Sequence, residues 1–186
     1  MNKILFATSN LNKLNEAREI LQGIKIEGVD LKIDEIQSLD SVEVATKKAR
    51  GYYEQLKKPL FVDDNALVFE ELGNKLPGAY IGDFSKALNN EGLIDLIKDK
   101  KNRNALARVV IVFIDQNGLD HSFVGEVKGT ITNKPRGENG FGWDSIFIPS
   151  GFNKTYAEMT EEEKNSVSMR KIALHKFKEW LDSNVR

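Results

Sequence analysis

The sequence predicts an α/β fold, and three observations carry that reading. Lys3-Ile4-Leu5-Phe6-Ala7-Thr8 is a short, nearly continuous apolar run, the pattern of a strand buried on both faces. Ser9-Asn10 follows at once with helix-cap chemistry, and Leu14, Ala17, Ile20 and Leu21 recur at helical spacing until Gly23 stops the pattern. Further along, strand-like runs from Ala105 to Asp115 and from Leu119 to Lys128 flank Gln116-Asn117-Gly118, and an Asn-Gly pair between apolar strands is a strong local hairpin signal.

The remaining elements follow in order. Ile24 to Leu31 alternates roughly and reads as a second strand, followed by an acidic connector, Asp34-Glu35-Ile36-Gln37. Ser41 opens a helix whose stripe is Val42, Val44, Ala45, Ala49 and Tyr52 or Tyr53, ending near Lys57-Lys58-Pro59. Leu60-Phe61-Val62 is a strand that runs directly into Asp63-Asp64-Asn65, after which Ala66 to Leu72 is apolar again and Gly73 to Gly78 has turn chemistry. Tyr80, Ile81 and Phe84 lead into a helix reaching towards Ile97, and Lys98 to Asn104 is a polar, basic, solvated connector. Gly129 to Thr132 continues the second hairpin strand towards a glycine-rich loop, Gly137-Glu138-Asn139-Gly140-Phe141-Gly142-Trp143-Asp144. Thr160-Glu161-Glu162-Glu163 has the form of a capping box, and a final amphipathic helix turns Ile172, Ala173, Phe177, Trp180 and Leu181 inward. Neither repeats nor a Pro/Gly-rich linker divide the chain, so a single domain over 1–186 is expected.

Composition bounds the function. At 186 residues, with 40% apolar and 30% charged, the chain has the make-up of a soluble globular domain. A net charge of -1 provides no electrostatic footprint for nucleic acid, so any basic site must be local. The lack of cysteine rules out disulfides, thiolate metal sites and cysteine nucleophiles. No apolar stretch approaches the about 18 residues of a membrane span, and Met1 to Thr8 enters the strand pattern without signal-peptide architecture. No membrane partner and a cytoplasmic location are therefore expected.

Three places offer chemistry. At the first strand-to-helix turn, the N–H groups of the helix start and its positive dipole end can bind an anion, with Thr8, Ser9, Asn10 and Lys13 as further donors. Taken alone, the same residues also fit an N-cap beside a solvated lysine. Asp63 and Asp64 end an apolar strand on opposite faces, where their burial calls for a cation or donors. Magnesium (Mg2+) suits that position, because it takes one or two carboxylates and fills its shell with water and phosphate. Glu35 reads as a metal ligand or as a surface carboxylate, and one of Lys47 and Lys48 points inward or both are solvated. In the glycine-rich loop, Phe141, Trp143 and Asp144 put flat apolar faces beside an acid, which suits a planar heterocycle or equally a turn whose aromatics plug the core.

Four blocks together make the chain resemble the inosine/xanthosine triphosphate pyrophosphatase family along nearly its whole length. They are Thr8-Ser9-Asn10 with Lys13; Val62-Asp63-Asp64-Asn65 continuing to Leu76-Pro77-Gly78-Ala79-Tyr80; Gly140-Phe141-Gly142-Trp143-Asp144 continuing to Phe147-Ile148-Pro149; and Thr155-Tyr156-Ala157-Glu158-Met159 continuing to Glu163-Lys164-Asn165-Ser166-Val167-Ser168-Met169-Arg170. The resemblance implies hydrolysis of deaminated purine nucleoside triphosphates, ITP, dITP and XTP, to monophosphate and diphosphate. It further implies an elongated α/β domain of two lobes, with a mixed, twisted central sheet flanked by helices and the nucleotide in the cleft between the lobes. Thr8, Asn10 and Lys13 would hold the triphosphate, Glu35 and Asp64 magnesium, and Lys48 would face the phosphates. Asp64 would also activate the attacking water. Phe141 would stack on the base, with Gly142, Trp143 and Asp144 completing the pocket. Lys164, Ser168 and Arg170 would lie at the base and sugar end, where the arginine meets the 6-keto oxygen. The family is typically homodimeric, which makes the Pro77-Gly78-Ala79-Tyr80-Ile81 segment, read as exposed, a candidate interface.

Three departures from the family pattern stand out. Met169 replaces the family histidine between Ser168 and Arg170, and a thioether cannot make the imidazole's polar contact. Asn65-Ala66 replaces the usual Ser-Gly after Asp64, and Trp143 stands where tyrosine is common. A pyrophosphatase of shifted base specificity and a non-catalytic nucleotide-binding sensor are the rival readings.

Overall fold

The computed structural model describes residues 3–184, so the two residues at each end of the expected 1–186 domain lie outside it. Its strands are β1 (Lys3–Ala7), β2 (Lys25–Val29), β3 (Leu60–Phe69), β4 (Pro77–Gly78), β5 (Asn104–Ile114), β6 (Asp120–Ile131) and β7 (Phe147–Pro149). The helices are α1 (Leu11–Ile20), α2 (Ser41–Leu56), α3 (Ile81–Asp95), α4 (Glu161–Val167) and α5 (Met169–Asn184). The sheet is open and mixed, in the order β2-β1-β3-β5-β6-β7, with β4 added to β3. β1 runs parallel to both β2 and β3, whereas β3 with β4 and β6 with β7 are antiparallel. The α/β expectation and the mixed sheet are thus observed.

The chain forms two compact units. The first comprises residues 1–64, 109–125 and 170–186, and the second residues 65–108 and 126–169. In the first unit, strand alternation sorts the core into two faces. Ala7, Leu60, Val62, Val110, Val112 and Ile114 pack with Ala45, Ala49 and Tyr52 of α2. Their neighbours Phe6, Phe61 and Phe113 turn the other way: Phe6 stacks on Phe61 at 4.2 Å, and both Phe61 and Phe113 meet Phe177 of α5 at 5.2 and 5.1 Å. In the second unit, Trp143, Phe147 and Tyr156 form an aromatic cluster, with ring centroids 5.3 to 6.5 Å apart.

Several local expectations meet corrections. β3 does not end at Val62 but runs unbroken through Asp63, Asp64 and Asn65 to Phe69, because the carboxylate of Asp63 finds cations on the buried side. Ile172 is 36% exposed and Leu174 is buried in its place, which rotates the inward stripe of α5. Pro77, Gly78 and Ile81 are buried, not exposed, since residues 77 and 78 pair with Val68 and Leu67 of β3. α3 is not continuous: Asn89 adopts φ 55°, ψ -171°, so one helical segment stops and another starts at that point. The capping box at Thr160 is present as expected, and a second one joins Thr155 to Glu158.

Candidate active site

In the first unit, β1 delivers the chain to α1 through Thr8, Ser9 and Asn10. Asn10 is the N-cap, and its Oδ1 accepts from the backbone N–H groups of Asn12 and Lys13 at 3.0 and 3.2 Å. Two of the donors expected to meet an anion are therefore taken up by the cap. Thr8 is half-buried and its Oγ1 accepts from Asn10 N, while Ser9 is exposed. Lys13 lies one turn into α1, and its Nζ reaches across to Asp63, 2.6 Å from Oδ1 and 3.3 Å from the main-chain oxygen.

Asp63 and Asp64 divide as strand geometry requires. The side chain of Asp63 is only 1% exposed and accepts from Lys13 and from Arg170 Nε at 2.7 Å. Burial opposes its charge, but the guanidinium and the ammonium outweigh it and hold the carboxyl far below the usual range. Arg170 in turn bonds Glu16 through Nη1, so a buried chain of charges runs Lys13, Asp63, Arg170, Glu16. The resemblance assigned Arg170 to the 6-keto oxygen of a base; the structure places its guanidinium between two carboxylates of the first unit. Glu16 was not anticipated, although an acid beside the apolar stripe of α1 was a visible signal.

On the other face, Asp64 is flanked by Lys48 and Glu35. Lys48 Nζ lies 2.5 Å from Glu35 Oε1 and is half-buried, whereas Lys47 is exposed, so Lys48 is the lysine that faces the carboxylates. Burial works against the charge on Lys48, but Glu35 and then Asp64 overcome it and hold its pKa above the ordinary value. Asp64 shows the reverse balance: burial pushes it up to about 6, with Lys48 and Lys13 only partly offsetting that rise. Its Oδ2 is buried and accepts no hydrogen bond. An unpartnered buried carboxylate oxygen costs free energy unless a cation or donor meets it. A cation beside Asp64 would meet that demand, and the donor set of Asp64 with Glu35, two carboxylates, is of the kind magnesium takes.

The second unit holds the remaining candidates: Asn65, Phe141, Gly142, Trp143, Asp144, Lys164, Ser168 and Met169. The glycine-rich loop depends on its glycines, since Gly140 has φ 78° and a Cβ there would lie 2.3 Å from Asp144 Oδ2. That oxygen accepts from Phe141 N at 2.8 Å and from Lys164 Nζ at 2.8 Å. Lys164 also lies 4.6 Å from the centre of the half-buried Phe141 ring. Trp143 turns inward instead, 7% exposed and edge-on to Phe147 at 5.7 Å. Ser168 caps α4, and Met169 is buried at the first position of α5. Asn65 is half-buried on β3. Asn90 was also not anticipated; its Nδ2 donates to Gly142 O and Ser145 Oγ, both at 2.9 Å.

The arrangement thus comprises, in one unit, Lys13 paired with Asp63, Lys48 paired with Glu35 and Asp64 with one unmet oxygen, and in the other an aromatic ring beside a carboxylate and an ammonium. The model of the Ham1 family matches residues 4–180. A dITP/XTP pyrophosphatase of Methanopyrus kandleri is 42% identical over 185 residues, with 98% of each chain covered. An inosine triphosphate pyrophosphatase of Candida glabrata is 39% identical, with 96% of this chain and 97% of that one covered. Among solved structures, a HAM1 protein from Coxiella burnetii superposes with a TM-score of 0.87 at 29% identity, covering 98% of this chain and all of that one. With full-length agreement in both sequence and fold, the chain belongs to the Ham1 family.

Proposed function

We propose that this protein hydrolyses deaminated purine nucleoside triphosphates, dITP, ITP and XTP, to the monophosphate and diphosphate. The observation that carries the reading is the buried, unpartnered Oδ2 of Asp64 beside the Lys48–Glu35 pair, a constellation that structure alone does not require. The activity that names the two relatives agrees with it.

Glu35 and Asp64 would hold magnesium, which when bound supplies positive charge to the triphosphate and a more acidic water. Asp64 orients the attacking water and takes up its proton, being buried and aimed away from its neighbour Asp63. Lys13 and Lys48 offset the charge that builds up as the bond between the α- and β-phosphates breaks. Asn10 Nδ2, the side-chain donor that capping leaves over, serves the phosphates, with Thr8 beside it. In the second unit, Phe141 offers its ring to the base, while Asp144 and Lys164 fix the ring's position. Arg170 acts on the phosphate side by holding Asp63, and through it Lys13, in place.

Diphosphate release, measured across inosine, xanthosine, deoxyinosine, guanosine, adenosine and thymidine triphosphates with and without magnesium, tests the reading. Magnesium-dependent release confined to the first three supports it, and equal release from guanosine or thymidine triphosphate sinks the substrate class. The same reading carries a homodimer, expected from the family resemblance and checked by sedimentation. It also carries a cytoplasmic location, where the nucleotide pool that such an activity would clean is found.

A further inference from the structure

We infer that Asn90 is a positioning residue for base recognition: it ties the Phe141 loop to α3 and so fixes where the stacking ring stands. Three observations within the second unit carry this. First, α3 breaks at Asn89, whose positive φ is a costly conformation for a residue with a side chain. The side chain of Asn89 accepts from Gly92 N at 3.0 Å, capping the segment that restarts there. The break thus has a local support, and it re-aims the next residue. Second, Asn90 spends its amide nitrogen on the loop, donating to the carbonyl of Gly142 and to Ser145 Oγ, each at 2.9 Å. Gly142 follows Phe141 directly and has φ 61°, a backbone freedom on the far side of the ring that this tie restrains. Third, the other ties on the loop act before or within it. Asn139 bonds the main chain at Ala157 and Met159, and Asp144 takes Phe141 N. Asn90 adds, from α3, a side-chain tie to the residue after the ring, beside the tie that Lys164 of α4 makes to Asp144.

The inference rests on the reading of Phe141 as the base platform, and the experiment separates the two. Asn90→Ala removes both donors, and Asn90→Asp keeps the shape while setting a carboxylate against the Gly142 carbonyl. For inosine triphosphate, both variants raise KM about tenfold, as expected for two lost hydrogen bonds, and leave kcat within about twofold. Inorganic tripolyphosphate, which has no base, inhibits variants and wild type with the same Ki, and the melting temperature stays within a few degrees. Unchanged KM in both variants overturns the inference. A Ki for tripolyphosphate that rises in step with KM also overturns it, because the damage would then be general. A wild-type protein that releases no diphosphate from any purine triphosphate instead overturns the proposed function and the inference that rests on it.

Discussion

Asp63 and Asp64 are chemical twins that the strand assigns to different tasks. Asp63 is paired on both oxygens within a buried chain of charges, and removing one member of such a chain leaves its partners uncompensated in a low dielectric. Asp63→Asn should therefore lower the unfolding free energy by about 3 to 5 kcal/mol in urea titrations. Asp64 is in the opposite condition: its charge is held against burial and its Oδ2 meets no donor. Asp64→Asn should lower turnover by about 10²- to 10⁴-fold, the span of a lost acid–base group, while the melting temperature stays level or rises. A melting temperature that falls as far as that of Asp63→Asn would show that both acids are structural. Phe141→Ala belongs at the same scale, and should weaken inosine triphosphate binding by about 1 to 3 kcal/mol, the range for loss of a stacking platform. Direct titration of the Asp64→Asn background, where turnover is suppressed, reads that difference; unchanged affinity would return Phe141 to a packing role.

Elements whose cues lie close together in sequence were legible in advance, and the β5–β6 hairpin shows why. Its turn needs only Asp115 to Leu119: Asp115 Oδ1 accepts from Asn117 N and Leu119 N at 2.8 and 3.0 Å, and its Oδ2 meets His121 at 3.2 Å. Burial opposes the charge on Asp115, but the two N–H groups and His121 hold its pKa below the usual range. A carboxylate with a depressed folded pKa adds stability above its unfolded value of about 3.9, and loses it as pH falls through the folded value. Asp115→Asn should cost about 1 to 2 kcal/mol at pH 7 and progressively less below about pH 4, as read by urea unfolding at both pH values. A gap that persists in acid would assign the effect to shape instead of charge. β3 was not legible in the same way, because two adjacent acids look like the end of a strand until their partners are known. Those partners are remote: Arg170 is 107 positions from Asp63, and Glu16 is 154 positions from Arg170. The break in α3 was hidden for a related reason, since Asn89-Asn90 keeps the polar spacing of a helix while its role lies 52 positions away at Gly142.

Across the whole molecule, the near-neutral charge supplies no general attractive field for phosphate, so the proposed function requires local groups, for which Lys13 and Lys48 are the candidates. Local chemistry singled out Lys13 at a helix cap and Asp64 at a strand end, whereas Glu35 and Lys48 were assigned roles only through the family resemblance, because nothing in their neighbouring residues separates them from surface charges. Sequence left open whether the loop aromatics stack on a ligand or plug the core, and Trp143 turns inward while Phe141 stays half-buried; the carboxylate partners of Arg170 were not foreseen, because burial is decided by what packs against a residue. Phosphate groups are common to every nucleoside triphosphate, so a protein that gripped only them would bind ATP and ITP alike. Discrimination has to come from the base, where a polar group left unpaired costs more than a matched contact gains. Binding to the folded state alone raises stability by about 2.7 kcal/mol at a ligand concentration of 100 times Kd. For a chain of this size each kcal/mol moves the melting temperature by about 2 to 4 °C. The Asp64→Asn variant, which should bind without consuming its ligand, is the form to melt. With magnesium and inosine triphosphate at that excess it should melt about 5 to 10 °C higher, and the same concentration of ATP should leave it nearly unmoved. Adding Phe141→Ala should erase most of the difference between the two nucleotides. Equal shifts with ATP and inosine triphosphate would mean that position 6 of the purine is not read, and the restriction to deaminated purines would fall. An unchanged inosine triphosphate shift in the Phe141→Ala double variant would remove the stacking role of Phe141.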